Sequence, residues 1–253
     1  MKNSDEFFIP ENTVDYVSEE EYIQAGYVIS ALEAFARVTY HSIYVIDYYR
    51  KNFLYVSENP LFLCGLQPGE VKDMGYAFYF KHVPEEEVNM LLEINRAGFN
   101  FYNQTPVEDR IKLSITYDFH ICNLKENKKI LINHKLTPVL LAQNGNIWLA
   151  SCIVSLSSHK TAGNFEARML GEMNYWTYSI ENRKWKQESS IKLNDREKDI
   201  LSLSAQGYTM NEIADKLYVG VNTVKFHKRN IFDKLNVSNI TEALSVASNS
   251  KMI

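Results

Sequence analysis

The sequence predicts an α+β protein in two parts. An antiparallel sheet with flanking helices comes first, and an all-α domain of four short helices follows. Three observations carry this expectation. Residues 111–121, IKLSITYDFHI, alternate apolar and polar side chains over eleven positions, which is the period of a strand with one buried and one wet face. Two more β-rich runs follow, around 129–141 and 147–156, with the turn signal Gln143-Asn144-Gly145-Asn146 between them. From residue 191 the period becomes helical, and capping pairs recur at short intervals.

Composition narrows the function classes. The 253 residues are 45% hydrophobic and 23% charged, the profile of an ordinary globular protein. A formal net charge of −4 argues against a protein that coats nucleic acid along its whole length. The charge is uneven, however. Residues 191–253 hold nine Lys and Arg against seven Asp and Glu, while the rest holds 18 against 24. An acidic body with a mildly basic tail results. Three widely spaced cysteines, Cys64, Cys122 and Cys152, give neither a disulfide framework nor a zinc knuckle, and suit a reducing cytoplasmic setting. The polar, acid-rich start MKNSDEFFIPENTVD does not read as a secretory signal. No apolar run approaches the length of a membrane span.

Residues 1–40 read as an N-terminal extension and helix. Ser18 and Glu21 have capping-box spacing, and Tyr22, Ala25, Val28, Ile29, Leu32 and Ala36 then form an apolar stripe. That stripe serves either the helix's own domain or a dimer. Residues 41–158 read as the sheet domain. Runs 43–48 and 53–58 form a hairpin around Arg50-Lys51-Asn52. Gly65, Gly69 and Gly75 mark short helices and turns. Pro84 precedes a helix over 85–99 with three acids in its first turn, where the helix dipole favours them. In the strand 111–121, Lys112, Ser114, Thr116, Asp118 and His120 fall on the wet phase. Residues 159–190 read as a connector, ending in the polar run 181–190. Trp176, Tyr178 and Trp185 make it too aromatic for a free linker, so part of it is expected to pack, as a helix followed by a strand.

Residues 191–253 read as the helical domain. Asn194 and Glu197 cap a helix over 195–206, and Gly207 stands where a helix end favours a left-handed residue. Thr209 and Glu212 cap a short second helix, 210–217, with Tyr208 and Ile213 placed as a hydrophobic staple. After the turn Tyr218-Val219-Gly220 comes 222-NTVKFHKRNIFDKL-235, with four Lys or Arg in fourteen residues. A fourth helix starts near Ser238 and carries Ile240, Ala243, Leu244 and Ala247 on one face. Two helices across a short turn, the second one basic, form a helix-turn-helix. At about 100° per residue, Val224, Ile231 and Leu235 face inward, and Asn222, Lys225, Phe226 and Arg229 face out. Such a helix fits a major groove, where Lys and Arg reach guanine and an apolar side chain touches a thymine methyl. A merely solvated amphipathic helix gives no reason for an outward phenylalanine.

The first part resembles a PAS domain over roughly residues 30–158. The matching stretches are 44-YVIDYYRKNFLYVSENPLFLCGL-66, 82-HVPEEEV-88 and the strands around Asn144-Gly145. The resemblance implies a module that senses a small molecule, light, redox state or a partner protein. The last part closely resembles the LuxR/GerE-type DNA-binding domain over 193–244, through NDRE, EIADKL, NTVKFHKRNIFDKL and NVSNITEA. It implies that Lys225, Phe226 and Arg229 face bases and nearby phosphates of double-stranded DNA. Asn222, Thr223, His227 and Lys228 would hold phosphates, with Thr209 adding another. It also implies a homodimer on an inverted repeat, with Ile240, Ala243, Leu244 and Ala247 as a candidate dimer stripe or as core. Two positions depart from the family pattern: Gly220 stands where Ser is usual, and Ile240 where Arg is usual.

Other candidates carry less chemistry. Leu113, Ile115, Tyr117 and Phe119, with His134 and Trp148, are the expected wall of a ligand pocket if one exists, and otherwise plain core. His134 shares a strand phase with Ile130, Ile132 and Leu136, so it is either a satisfied core histidine or a group that reads a ligand. His120 reads as a surface residue, His82 as structural and Cys64 as core, while His41 and His159 have no evident partner. No metal site or cofactor is evident, and phosphate-cradling loops, GxSxG and HExxH are missing. The expectation is a cytoplasmic transcription regulator, not an enzyme. Its rivals are a PAS-based protein-interaction adaptor without a small ligand, a flavin or haem redox sensor, and a sigma-like promoter reader.

Overall fold

Among the described residues, eight strands form a single sheet in the order β2-β1-β5-β4-β3-β6-β7-β8. They are β1 (Ser42–Asp47), β2 (Asn52–Val56), β3 (Leu113–Asn123), β4 (Lys128–Leu141), β5 (Ile147–Leu156), β6 (Gly163–Met169), β7 (Asn174–Ser179) and β8 (Lys184–Ser189). The structure, a computed structural model, describes residues 4–172, 174–189, 191–249 and 252. Residues 1–3 of the acid-rich start and Ser190 of the polar run lie outside the described residues. The chain divides into two units, one through Glu188 and one from Ser189.

Register carries the strand expectation into packing. Antiparallel pairing sets Tyr117 opposite His134, Phe119 opposite Ile132 and Ile121 opposite Ile130, so one phase of β3 and β4 meets on one face. There Tyr44, Phe62, Tyr79, Phe119 and His134 form a continuous ring cluster. Helices α2 (Pro60–Leu63), α3 (Pro68–Met74), α4 (Ala77–His82) and α5 (Glu85–Gln104) accompany this face. Gly98 is where α5 comes closest to the strands: a Cβ there would lie 3.1 Å from the Ile115 side chain and 3.4 Å from the Phe165 ring. A short 3₁₀ turn, Ser4–Phe7, adds Phe7 to the rings of Tyr76, Tyr79 and Phe80. Asn95 Nδ2 holds it by donating to the Phe7 carbonyl at 2.7 Å. On the opposite side α1 (Glu19–Val38) starts from the Ser18–Glu21 capping box and buries Ala25 and Ala36. Tyr22 anchors it by donating to Asp47 Oδ2 at 2.5 Å.

Four sequence expectations are corrected. Residues 163–189 form three strands, not a helix and a strand, and they lengthen the sheet beyond β3. Trp176 and Trp185 flank the Phe101 ring of α5, and Trp185 and Tyr178 also meet Phe165. Burying these rings explains why the segment is ordered as sheet. Asp118, expected on the wet phase, is fully buried. Its carboxylate accepts from Asn133 Nδ2 at 2.9 Å, Asn164 Nδ2 at 2.9 Å and His159 Nδ1 at 2.6 Å. His159 therefore has the partner that the sequence did not disclose. His120 is half-buried against Glu87, with its Nδ1 2.6 Å from Oε1. The structural reading of His82 and the core reading of Cys64 stand: both are buried, and His82 Nδ1 donates to the Cys122 carbonyl at 2.8 Å.

The second unit packs four helices, α6 (Asp195–Ala205), α7 (Met210–Lys216), α8 (Val221–Leu235) and α9 (Ile240–Asn249). Its core holds Ile200, Leu201, Ile213, Val224 and Ile231, all essentially inaccessible. The caps form as the spacing predicts, at Asn194–Glu197 and Thr209–Glu212. Gly207 takes a φ of +86°, a conformation glycine adopts without steric cost. Glu197 does more than cap. It is buried, and its Oε2 accepts from Lys234 Nζ at 2.7 Å as well as from the Asn194 amide at 2.8 Å. One carboxylate thus ties the start of α6 to the last turn of α8.

Two measurements test this packing. Lys234→Met leaves the buried Glu197 without its cation and is expected to cost about 1–3 kcal/mol, the penalty of an unmet buried polar group. Urea unfolding measures it, and a cost below about 0.5 kcal/mol, the level of an ordinary surface change, would refute the clamp. The pH dependence should carry two opposite histidine signatures. The hydrogen bond to Asp118 raises the His159 pKa above 6.5. Its stabilisation is therefore complete below pH 6.5 and lost as pH rises through the raised value. Burial lowers the His134 pKa to about 3, so its contribution is present above pH 6.5 and lost as pH falls toward 3. Melting curves of wild type and His159→Gln across pH should converge on the alkaline side, and a pH-independent gap would rule out the His159 signature.

Candidate nucleic-acid interface

The exposed face of α8 is fixed by what its other face must bury. Val224 and Ile231 are inaccessible and Leu235 nearly so, which forces the residues about half a turn away into solvent. Asn222, Thr223, Lys225 and Arg229 are all exposed, and Phe226 keeps 60% of its surface accessible. The helix starts at Gly220, whose extended backbone serves as N-cap with no side-chain hydrogen bond. It ends at Asn236, in the left-handed region at φ 52°. Leaving Arg229 aside, which lies 4.0 Å from Asp233, the cations of this face have no carboxylate among the ion pairs of the described residues.

The flanking residues behave differently. Lys228 is half-buried, and burial lowers its pKa. It lines a shallow cleft with Lys225, Arg229, Phe232, Asn239 and Ile240. Ile240, standing where the family usually has Arg, thus gives this cleft an apolar wall. His227 is half-buried too, and its Nδ1 is enclosed without a hydrogen-bond partner. Thr209 is exposed, but its hydroxyl donates to Glu212 Oε2 at 2.7 Å. A phosphate approaching Thr209 would meet that carboxylate, so the sequence expectation of a phosphate contact there gains no support. Residues 238 and 239, on the rim of the same cleft, were not singled out by sequence. Only the packing of α9 against α8 places them beside the basic face.

On α9 the core alternative for the candidate stripe gains support at Ala243 and Ala247. Ala243 and Ala247 are fully buried within their own domain, and Ile240 and Leu244 pack against the same core. Alanines that already fill a core cannot also face a second chain.

The expected ligand wall in the sheet domain divides. Leu113, Ile115 and Tyr117 line a narrow apolar cavity with Ile94, Gly98 and Tyr102. It has room for about two water molecules. Phe119, His134 and Trp148 do not line it. Phe119 and His134 belong to the ring cluster, and Trp148 packs edge-on against Tyr22. His134 Nε2 lies 2.6 Å from the Tyr44 hydroxyl, which lies 2.5 Å from that of Tyr79. His134 Nδ1 is buried with no hydrogen-bond partner. No group of three or more metal-ligating side chains occurs among the described residues, and no helix of the described residues is long and apolar enough to cross a membrane.

Comparison with known proteins agrees with the geometry of the second unit. Residues 192–247 match the family model GerE, described as bacterial regulatory proteins, luxR family. The oxygen regulatory protein NreC of Staphylococcus carnosus is 44% identical over 61 residues, 24% of this chain and 28% of that protein. The CsgBAC operon transcriptional regulatory protein of Escherichia coli K12 is 42% identical over 67 residues, 26% of this chain and 31% of that protein. The chain thus covers under a third of the length of either relative. Among solved structures, a phage VqmA–DPO complex covers 92% of this chain and 91% of that one at 16% identity, with a TM-score of 0.32, a score that assigns nothing. With four packed helices, an outward basic face on the third and the family match over the same residues, residues 192–247 of this chain form a LuxR/GerE-type helix-turn-helix domain.

Proposed function

We propose that the protein is a transcription regulator that binds double-stranded DNA as a homodimer in the cytoplasm, under the control of its PAS-like domain. The observation that supports it most is the face of α8. Asn222, Lys225, Phe226 and Arg229 stand together in solvent on a helix whose opposite side is locked into the core. Lys225 and Arg229 suit guanine edges, and Phe226 suits a thymine methyl. Asn222, Thr223 and the half-buried Lys228 and His227 suit the phosphates beside them. One such module buries only about 600–1,000 Å² on DNA, so two copies on an inverted repeat give the affinity a promoter site needs. The chemistry is that of a binding protein, not of an enzyme.

Control passes through the first unit. A small ligand would enter between α5 and β3, where Ile115 and Gly98 meet, and displace the helix from the strands. β8 ends only a few residues before α6 begins, so a shift in the added strands reaches the reader along the chain. A second reading, an adaptor that binds a partner protein and no small ligand, is favoured by one observation: side chains fill nearly all of the ring-lined interior. For the same reason, a flavin or haem would require the interior to be rebuilt.

Selection of bound fragments from genomic DNA, with the full chain and a Lys225→Ala/Arg229→Ala variant side by side, tests the reading. An inverted repeat enriched by the wild type alone is expected. Each single substitution should cost about 1–3 kcal/mol and relax specificity where the residue reads a base. A residue that holds only phosphate would weaken all sequences alike and lower the salt slope by about one. Equal enrichment by wild type and double variant would remove α8 as the reader.

A further inference from the structure

Helix α1 is apolar on two opposite sides. One side carries Tyr22, Ala25, Ile29 and Leu32 into the sheet domain's core and buries Ala36. The other presents Ile23, Tyr27, Phe35 and Val38 to solvent, with Tyr27 75% and Val38 79% accessible. At about 100° per residue, these four fall within a sector of roughly 120°, opposite the buried side. Between them lie the small, exposed residues Gly26, Ser30, Ala31 and Ala34. Gly26 stands at the flank of this sector, and a Cβ built there would meet nothing within 4 Å. A helix apolar all round is a buried helix, and a contiguous exposed apolar patch marks a surface made to be covered.

We infer that the outward side of α1 is the homodimer seam, and that a second copy of α1 packs on it antiparallel. The inference deepens the homodimer part of the proposed function. Charge selects both the occupant and the direction. Glu19, Glu20 and Glu21 crowd the first turn, and Arg37 is the basic residue of the last. Parallel pairing would bring the two acidic turns together, which is repulsive. Antiparallel pairing about a two-fold axis between Ser30 and Ala31 sets Ile23 opposite Val38 and Tyr27 opposite Ala34. It also brings Arg37 to within a turn of the partner helix's acidic end. The surface is then self-complementary, as a two-fold interface has to be. The small residues at the centre allow the axes to approach to about 8 Å. Two aromatic and two aliphatic side chains on a helix about 30 Å long supply on the order of 500 Å² per protomer. That is below the roughly 800 Å² of a standard interface, which suits a reversible dimer.

The test uses the full chain without DNA. Sedimentation over a micromolar concentration series should show a monomer–dimer equilibrium. Tyr27→Lys/Ala34→Lys should raise its dissociation constant at least tenfold while leaving the far-UV circular dichroism spectrum unchanged, because both side chains are exposed. Cysteine cross-linking reads the direction, with the wild type as control for the three native thiols. Ser30→Cys should form a covalent dimer under mild oxidation. Ile23→Cys alone should not, but mixed with Val38→Cys it should. A monomeric wild type, a dimer indifferent to the lysines, or ready cross-linking of Ile23→Cys alone would each overturn the seam. DNA selection is an independent readout. A chain that selects DNA yet stays monomeric overturns the seam and leaves the reader standing. A dimer with this cross-linking pattern that selects nothing overturns the reader and leaves the seam.

Discussion

The first unit depends on one constraint, that the apolar face of an eight-stranded sheet has to be covered from end to end. Helices α2 to α5 share this, and α5 lies close against β3 and β6 where residue 98 is glycine. With the Ile115 and Phe165 side chains at 3.1 and 3.4 Å from the position of a Cβ, any other residue there would require these neighbours to give way. The close approach lets Phe101 and Ile94 reach the rings brought by β6, β7 and β8. The added strands are therefore part of the same core. The same closeness leaves a narrow gap beside Gly98, where α5 meets both β3 and, through Phe165, the extension of the sheet.

The opposite face solves the same problem by different means. Near β1 it is covered by α1, anchored through Tyr22 and Asp47. Farther along, Asp118 is buried, and Asn133, Asn164 and His159 hydrogen-bond its carboxyl group. A buried carboxylate is tolerated only when paired in this way. The arrangement fixes the loop that leads into β6, and so the place where the sheet begins its extension.

In the second unit, burial and charge divide the work along one helix. Val224, Ile231 and Leu235 lock α8 against its neighbours, and the Lys234–Glu197 pair fixes its last turn. The outward side is then free to carry cations and a phenylalanine, none of which the core needs. That separation is what allows residues to change on the reading face with little effect on folding.

Much of this was legible in the sequence. The two-part architecture, the period-two strand over 111–121, the caps at Asn194 and Thr209 and the outward residues of α8 follow from local periodicity and capping chemistry. Those are rules about neighbours in the chain, and residues three or four apart express them directly. What sequence alone could not decide were matters of distant partners. Asp118 sits on a wet phase by alternation, yet it is buried because Asn133, His159 and Asn164 converge on it. The aromatic connector carries no clear period, and only Phe101 and Phe165 make it sheet. The stripe on α9 reads equally as core or dimer, and packing against Ile200 and Val224 makes Ala243 and Ala247 core. Local order is written in spacing, whereas burial of a given side chain depends on which remote surface arrives to cover it, and that is decided only when the chain has folded.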